Sequence, residues 1–330
     1  QFSPDGKLLY VTGAAPESDV CHVEVKQGRV MAKFRAGHTA MAPVVSPDGK
    51  TLFVCNRFND DVSVFDLVTK KEKCRIPVRR EPVAAAITPN GKHLLVANLL
   101  HTGRADADHV GAVVSVIDTA SCKVVDDLWL PNGSGSLNDI RVSPDGKYAV
   151  VTHILSRFQL PTTQLDRGWM NTNAKTIIDL TQMRVLNTVL LDTIDRGAAN
   201  PWGVAWSADG KTLVVALAGT HEVSVTDFPA LLAKLAKVTP ESAAAPSPAL
   251  PYSGSASRVP SDVPNDLSFL VGVRERRALP VGDLGPRAVV LRRERRMRGD
   301  HVGRVRDLAD RLEVLDRLVA GVRVQRRVHR

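Results

Sequence analysis

The chain has 330 residues, 44% of them hydrophobic and 24% charged, with a formal net charge of +9. That composition supplies the apolar side chains for a sizeable core and excludes a disordered polar chain, and no run approaches the roughly 18 consecutive apolar residues that a membrane span requires. The charge is unevenly placed: residues 1–237 carry a net +2, whereas residues 238–330, with 18 Arg, 11 acidic residues and no Lys, carry +7. The basic character belongs to the C-terminal segment and gives no reason to expect a nucleic-acid partner for the body.

In chain order, the first recognisable element is a turn. Pro4-Asp5-Gly6-Lys7 follows Ser3 and precedes an apolar run, and the unit returns as Pro47-Asp48-Gly49-Lys50, Pro89-Asn90-Gly91-Lys92, Pro144-Asp145-Gly146-Lys147 and Ala208-Asp209-Gly210-Lys211. Pro presets φ at the second turn position, Asp or Asn suits the third, and Gly takes the left-handed position that closes a type I turn with a bulge. Successive units are 43, 42, 55 and 64 residues apart. A hairpin recurring every roughly 40 to 45 residues, with room for insertions, is the pattern of β-propeller blades.

The third repeat predicts a whole blade. Residues 83–88 form a small-residue inner strand, His93–Asn98 a second strand, Ala112–Asp118 a third and Lys123–Leu130 the outer fourth. The third strand recurs as Asp61–Asp66 and Glu222–Asp227. An ordinary β-sandwich has no cause to repeat inner strand, turn and third strand in this order. The expected fold is all-β, a propeller of four-stranded antiparallel blades over residues 1–237.

Residues 238–265, rich in Pro, Ser and Ala, read as a linker or long surface loop. Residues 266–291 return to blade grammar as a partial blade, with Arg277–Val281 matching Cys74–Val78 and Pro286–Val290 matching Pro82–Ala86. For the Arg-rich tail, residues 292–330, two readings stand: a patch for nucleic acid or acidic lipid, or a degenerate blade in which Leu308–Asp316 echoes Asn59–Leu67. The absence of Lys and the returning strand favour the degenerate blade, while Leu308, Leu312, Leu315 and Val319 share one helical face, as in a terminal helix. The chain starts without Met, inside a repeat that lacks its inner strand, and is expected to be incomplete at both ends.

Tyr10-Val11-Thr12-Gly13 lies close to the motif that names the YVTN-type bacterial β-propeller repeat family, which the chain resembles over residues 2–290. The segments Val54–Phe58, Arg157–Leu165 and Ala199–Gly203 resemble a subgroup in which such a propeller precedes a c-type cytochrome region similar to di-haem peroxidases. The resemblance implies a periplasmic or extracellular protein with a c-type cytochrome region in its intact form. No Cys-x-x-Cys-His occurs in the chain, so no haem attachment is encoded here.

Blade topology places the Pro-Asp-Gly turns at one end of every sheet and the long insertions at the other. Loops carry function where strands carry packing, so the insertion end is the candidate ligand or partner face, with His38, Asn56, Arg57, His101, Asp106, His109, His153, Arg157, Asn200, Trp202 and His221 as its residues. His38, His101, His153 and His221 could converge on a transition metal or an anion, but no two have a short ligand spacing, and Asp106 with Asp108 lacks the dense pattern of an EF-hand loop. No metal site and no cofactor is expected. There is neither a Gly-x-Ser-x-Gly nor a P-loop, and Pro131–Ser136 reads as a flexible turn. Cys21, Cys55, Cys74 and Cys122 read as buried free thiols, with Cys55–Cys74 the one plausible pairing. The reading is a binding or interaction module for a protein or small-molecule ligand; the rival is a redox or lactonase-type propeller enzyme.

Overall fold

The computed structural model describes residues 1–157, 170–238, 263 and 266–279. Most of the expected linker, the partial blade beyond Leu279, the Arg-rich tail and its expected helix lie outside the described residues.

The described chain is all-β apart from one short helix, and it is built from consecutive antiparallel meanders. The first sheet has three strands, β1 (Leu8–Thr12), β2 (Asp19–Glu24) and β3 (Arg29–Arg35), with a single Phe2–Leu9 bridge where an inner strand would begin. Four sheets of four strands follow. They are β4 (Ala40–Val45) to β7 (Lys71–Pro77) through β5 (Thr51–Asn56) and β6 (Asp61–Asp66), then β8 (Pro82–Ile87), β9 (His93–Asn98), β10 (Val113–Asp118) and β11 (Lys123–Trp129). The last two are β12 (Ser134–Val142), β13 (Tyr148–Ser156), β14 (Asn171–Asp179) and β15 (Arg184–Leu190), and then β16 (Pro201–Trp206), β17 (Thr212–Leu217), β18 (Glu222–Asp227) and β19 (Arg274–Ala278).

Both faces of the inner sheets are buried, which is why their strands read as near-continuous apolar runs rather than alternating ones. Successive sheets pack face to face, with one apolar cluster in each seam. Tyr10, Val20 and Phe34 meet Leu52, Val54 and Phe65 between the first and second sheets, and Phe53, Val62 and Val64 meet Leu94 and Val96 between the second and third. Leu95, Val114 and Val116 meet Ile140 and Val151 in the next seam, and Val150 and Ile177 meet Leu213 and Val215 in the last. The first strands β4, β8, β12 and β16 lie side by side in chain order. The Ala84-Ala85-Ala86 run of β8 is small because these strands crowd together. Each of these four strands also carries a register shift towards its start, between Met41 and Val44, Pro82 and Ala84, Gly135 and Asp139, and Pro201 and Val204, and such bulges add local twist.

The turn units explain their own sequence. In the second sheet Ser46 Oγ donates to Asp48 Oδ1, which accepts from the Lys50 amide at 3.0 Å, while Thr51 N–H donates back to Ser46 Oγ at 2.9 Å. The same circuit recurs at Ser3, Thr88, Ser143 and Ser207, so the residue before each turn is part of the device. Gly49, Gly91, Gly146 and Gly210 have φ between 68° and 72°, as the turn requires. Consecutive turns also touch: a Cβ on Gly91 would sit 3.4 Å from Pro47 Cδ, and one on Gly146 would sit 3.2 Å from Pro89 Cδ. The turns therefore share one end of the molecule, and the antiparallel topology sends every second-to-third and fourth-to-first connection to the opposite end.

One element departs from the blade reading of residues 1–237. After β18, Asp227 caps a helix, α1 (Phe228–Leu235), by accepting from Ala230 N–H at 3.0 Å, and Phe228, Leu231 and Leu235 bury one face in the last seam. The signal was in the sequence, as an N-cap Asp, Pro229 in the first turn and apolar residues at helical spacing. The helix stands between the third and fourth strands, so β19 arrives only after the linker and pairs antiparallel with β18.

Candidate interaction face

Three of the eleven candidate residues are buried, Asn56 and His153 on strands and Arg157 just after β13. Asn56, the last residue of β5, is fully buried; its Oδ1 accepts from Gly37 N–H at 2.8 Å, and its Nδ2 donates to Ser63 Oγ at 2.8 Å and to Asp61. Asn98 holds the same place in β9, donating to Ser115 Oγ at 3.1 Å and to the Val113 carbonyl at 2.9 Å. His153 is the equivalent residue of β13, with Nε2 2.7 Å from Thr176 Oγ1, which in turn lies 2.6 Å from Thr188 Oγ1. Asn56 and His153 are thus bolts between the second and third strands. Burial pushes the His153 imidazole down to about 4, which keeps it neutral at pH 7. The expected histidine ring around a channel loses this member. The clue was available: aligning the blades on their turns puts Asn56, Asn98 and His153 at one repeat position, seven residues after Gly49, Gly91 and Gly146.

The others sit at the insertion end, all in loops except Trp202, the second residue of β16. His38 is placed by Asn59, whose Oδ1 accepts its amide at 2.6 Å, and its ring meets Phe58 edge-on at 5.1 Å. Arg57 lies over the Phe58 ring, 4.9 Å from its centroid, and donates from Nε and Nη2 to Glu81 Oε2 at 2.9 and 2.7 Å. The structure therefore joins His38, Phe58, Arg57 and Glu81 across two loops. His109 packs edge-on against Trp129 at 5.7 Å, with Nε2 3.0 Å from the Leu130 carbonyl. Asp106 is closed by an exposed local pair with Arg104, and His101 is half-buried in the same loop. Asn200 has φ 54° and takes Asn173 Oδ1 on its amide at 3.2 Å; His221, at φ 53°, is exposed. Arg157 is buried, its charge disfavoured by burial and supported by Asp192. Trp202 is 54% exposed. Among the described residues no three His, Cys, Asp or Glu side chains are grouped as a metal site would need.

The large exposed apolar side chains are informative. Phe58 (52%), Trp129 (43%), Ile194 (72%) and Trp202 (54%) all stand where strands meet loops at the insertion end. At the turn end a cavity of about 250 Å³ opens between the turns of the second and third sheets, but its walls include Ser46, Asp48 and Thr119, whose polar atoms already serve the turn circuits.

Sequence reasoning missed the polar side of the last seam. Lys175, on β14, is fully buried, and its Nζ donates to Thr226 Oγ1 of β18 at 2.8 Å. Burial, helped by the nearby Arg274 charge, pushes its pKa down to about 7. Glu222 pairs with both Arg196 and Arg276, and Arg274 donates to the Leu191 carbonyl at 2.6 Å. Asp139, on β12, is largely buried and accepts from Val204 N–H of β16 at 2.9 Å; burial raises its pKa despite Arg141 beside it. Isolated polar letters within apolar strands were the signal. Cys55 and Cys74 do not pair: all four cysteines are free, and β6 separates these two across the sheet.

No protein-family model matches the chain. It is 32% identical over 163 residues to the hydrazine synthase subunit beta of Kuenenia stuttgartiensis, covering 48% of this chain and 40% of that protein. It is 26% identical over 169 residues to antigen Lp49 of Leptospira interrogans, covering 47% of this chain and 35% of that one. The aligned stretches thus span well under half of either curated relative. Among solved structures, Kuenenia stuttgartiensis hydrazine synthase superposes with a TM-score of 0.55 at 24% identity, over 84% of this chain and 85% of that one, which speaks for a shared fold.

Proposed function

We propose that the chain is a YVTN-type β-propeller acting as an interaction module, periplasmic or extracellular, whose insertion end docks a protein partner. The observation that carries this reading is that three of the four exposed aromatic side chains among the described residues, Phe58, Trp129 and Trp202, stand at that end, with Arg57 beside Phe58, whereas the turn end exposes mainly aliphatic side chains such as Val68 and Val271. Aromatic and Arg side chains are the usual anchors of protein interfaces. The similarity to a protein named as a subunit supports a partner that is itself a protein. The side-by-side first strands and face-to-face seams are what blades around an axis require. Among the described residues no helix is long and apolar enough to cross a membrane.

A second reading, the propeller part of a cytochrome-linked electron-transfer protein, rests on the likeness to hydrazine synthase and on the cytochrome-associated subgroup. In that case the haem belongs to another part of the assembly. Affinity capture of the native partner with wild type and with a Phe58→Ala/Trp202→Ala variant tests the first reading. The variant is expected to keep its fold and lose most of the partner; equal capture contradicts the assignment of the face. A haem absorbance spectrum in the captured material selects the second reading.

A further inference from the structure

Two thiols meet at the outer edge of the seam between the second and third sheets. Cys74 is on β7, the outer strand of the second sheet, and Cys122 ends the turn between β10 and β11 of the third. Both are half-buried and pack against the same apolar cluster, and the neighbouring Cys122 adds to burial in raising the pKa of Cys74. The outer strands β7 and β11 lie against each other, and Arg79 Nη2 reaches Asp127 Oδ2 at 2.6 Å across the same seam. Cys122 has φ 55°, in the left-handed turn position that Gly28, Lys70 and Met183 occupy in the other sheets. That conformation fixes where its Cβ points. Cys55 shares the cluster but is fully buried, with β6 between it and β7.

We propose that Cys74 and Cys122 are a disulfide-forming pair that staples the second sheet to the third when the chain meets a low-molecular-weight disulfide oxidant. The Cys122 thiolate attacks one sulfur of the oxidant, forming a mixed disulfide and releasing one oxidant thiol. Cys74 then loses its proton and attacks Cys122 Sγ, releasing the second oxidant thiol. Two S–H bonds are lost and one S–S bond forms, and two electrons and two protons leave on the oxidant. Cys74 is the second thiol to react because burial and the Cys122 contact push it up to about 12, which disfavours its thiolate. The bond would close a loop containing all of β8, β9 and β10, adding a covalent tie to the side-chain packing and the Arg79–Asp127 pair already in this seam.

The test uses the full chain, purified reduced and then incubated with glutathione disulfide. The expected product has lost two hydrogens by intact mass, and a non-reducing peptide map links the Cys74 and Cys122 peptides. Its thermal midpoint rises by roughly 5 °C and returns to the starting value with dithiothreitol. Cys122→Ser abolishes the link and the shift, whereas Cys55→Ser preserves both. Four free thiols after incubation, stable glutathione adducts alone, or a map joining any other pair would overturn the proposal.

Discussion

The two ends of this molecule obey different rules. At the turn end the same Ser/Thr-x-Asp/Asn circuit recurs in every sheet, and each turn glycine after Gly6 faces the proline of the preceding turn, so the sequence there is repetitive because the packing is. At the insertion end short connections such as 57–60 and 78–81 alternate with long ones such as 99–112 and 191–200, and aromatic side chains are left in solvent. Repetition at one end supplies the mutual support that lets the other end vary. A solenoid-like stack divides its labour in this way, with neighbour contacts carrying stability and insertions on one face carrying recognition.

The sharpest way to break this comparison is to attack the stacked turns. Gly146→Val places a branched side chain at φ 72° with Pro89 Cδ 3.2 Å from the new Cβ, and should cost about 3 kcal/mol. Gly6→Val, at φ 71° with open space around it, should cost about 1 to 2 kcal/mol from backbone strain alone. Denaturant midpoints measure both. Equal losses would show that the turns do not lean on one another.

A somewhat smaller effect is expected at Lys175. Its folded pKa of about 7 lies below the ordinary 10.5, so the unfolded chain binds the extra proton between those values, and stability rises with pH across that window. Lys175→Met should therefore raise stability at pH 7 by about 2 kcal/mol, allowing for the Thr226 hydroxyl it leaves without its bond, and flatten the rise from pH 7 to about 10.5. Thermal unfolding across that range checks the sign.

Smaller still is the contrast between the strand bolts. His153 is neutral in the fold down to about pH 4 but titrates near 6.5 when unfolded, so its contribution is lost as pH falls from 6.5 towards 4. His153→Asn, which recreates the bolt of β5 and β9, should change stability by less than about 1 kcal/mol at pH 7 and remove about 1 to 2 kcal/mol of acid sensitivity at pH 5. An unchanged acid profile would mean that carboxylates alone set it.

Much of this was legible beforehand. The turns, the third strands and the end of the molecule that receives the insertions follow from local chemistry repeated at a period, and β6, β9 and β18 occupy the residues that the repeat marks. The site was less legible because a polar residue at a strand end has two uses. Asn56 and His153 look like loop residues in one dimension, yet strand direction turns them into a seam, whereas Arg57, one residue on, faces Glu81. Lys175 was hidden for the opposite reason: it interrupts an apolar strand, and only the neighbouring sheet shows what receives its ammonium group.

The central claim is that recognition belongs to the insertion end and support to the turn end. Covalent footprinting of the chain alone and in its native assembly tests it most directly, with hydroxyl radicals for aromatic and aliphatic side chains and acetylation for lysines. The account predicts protection of Phe58, Trp129, Ile194 and Trp202 on assembly, with Lys50, Lys92, Lys147 and Lys211 of the turns labelled as before. Protection of the turn lysines with the four apolar residues still open would contradict it.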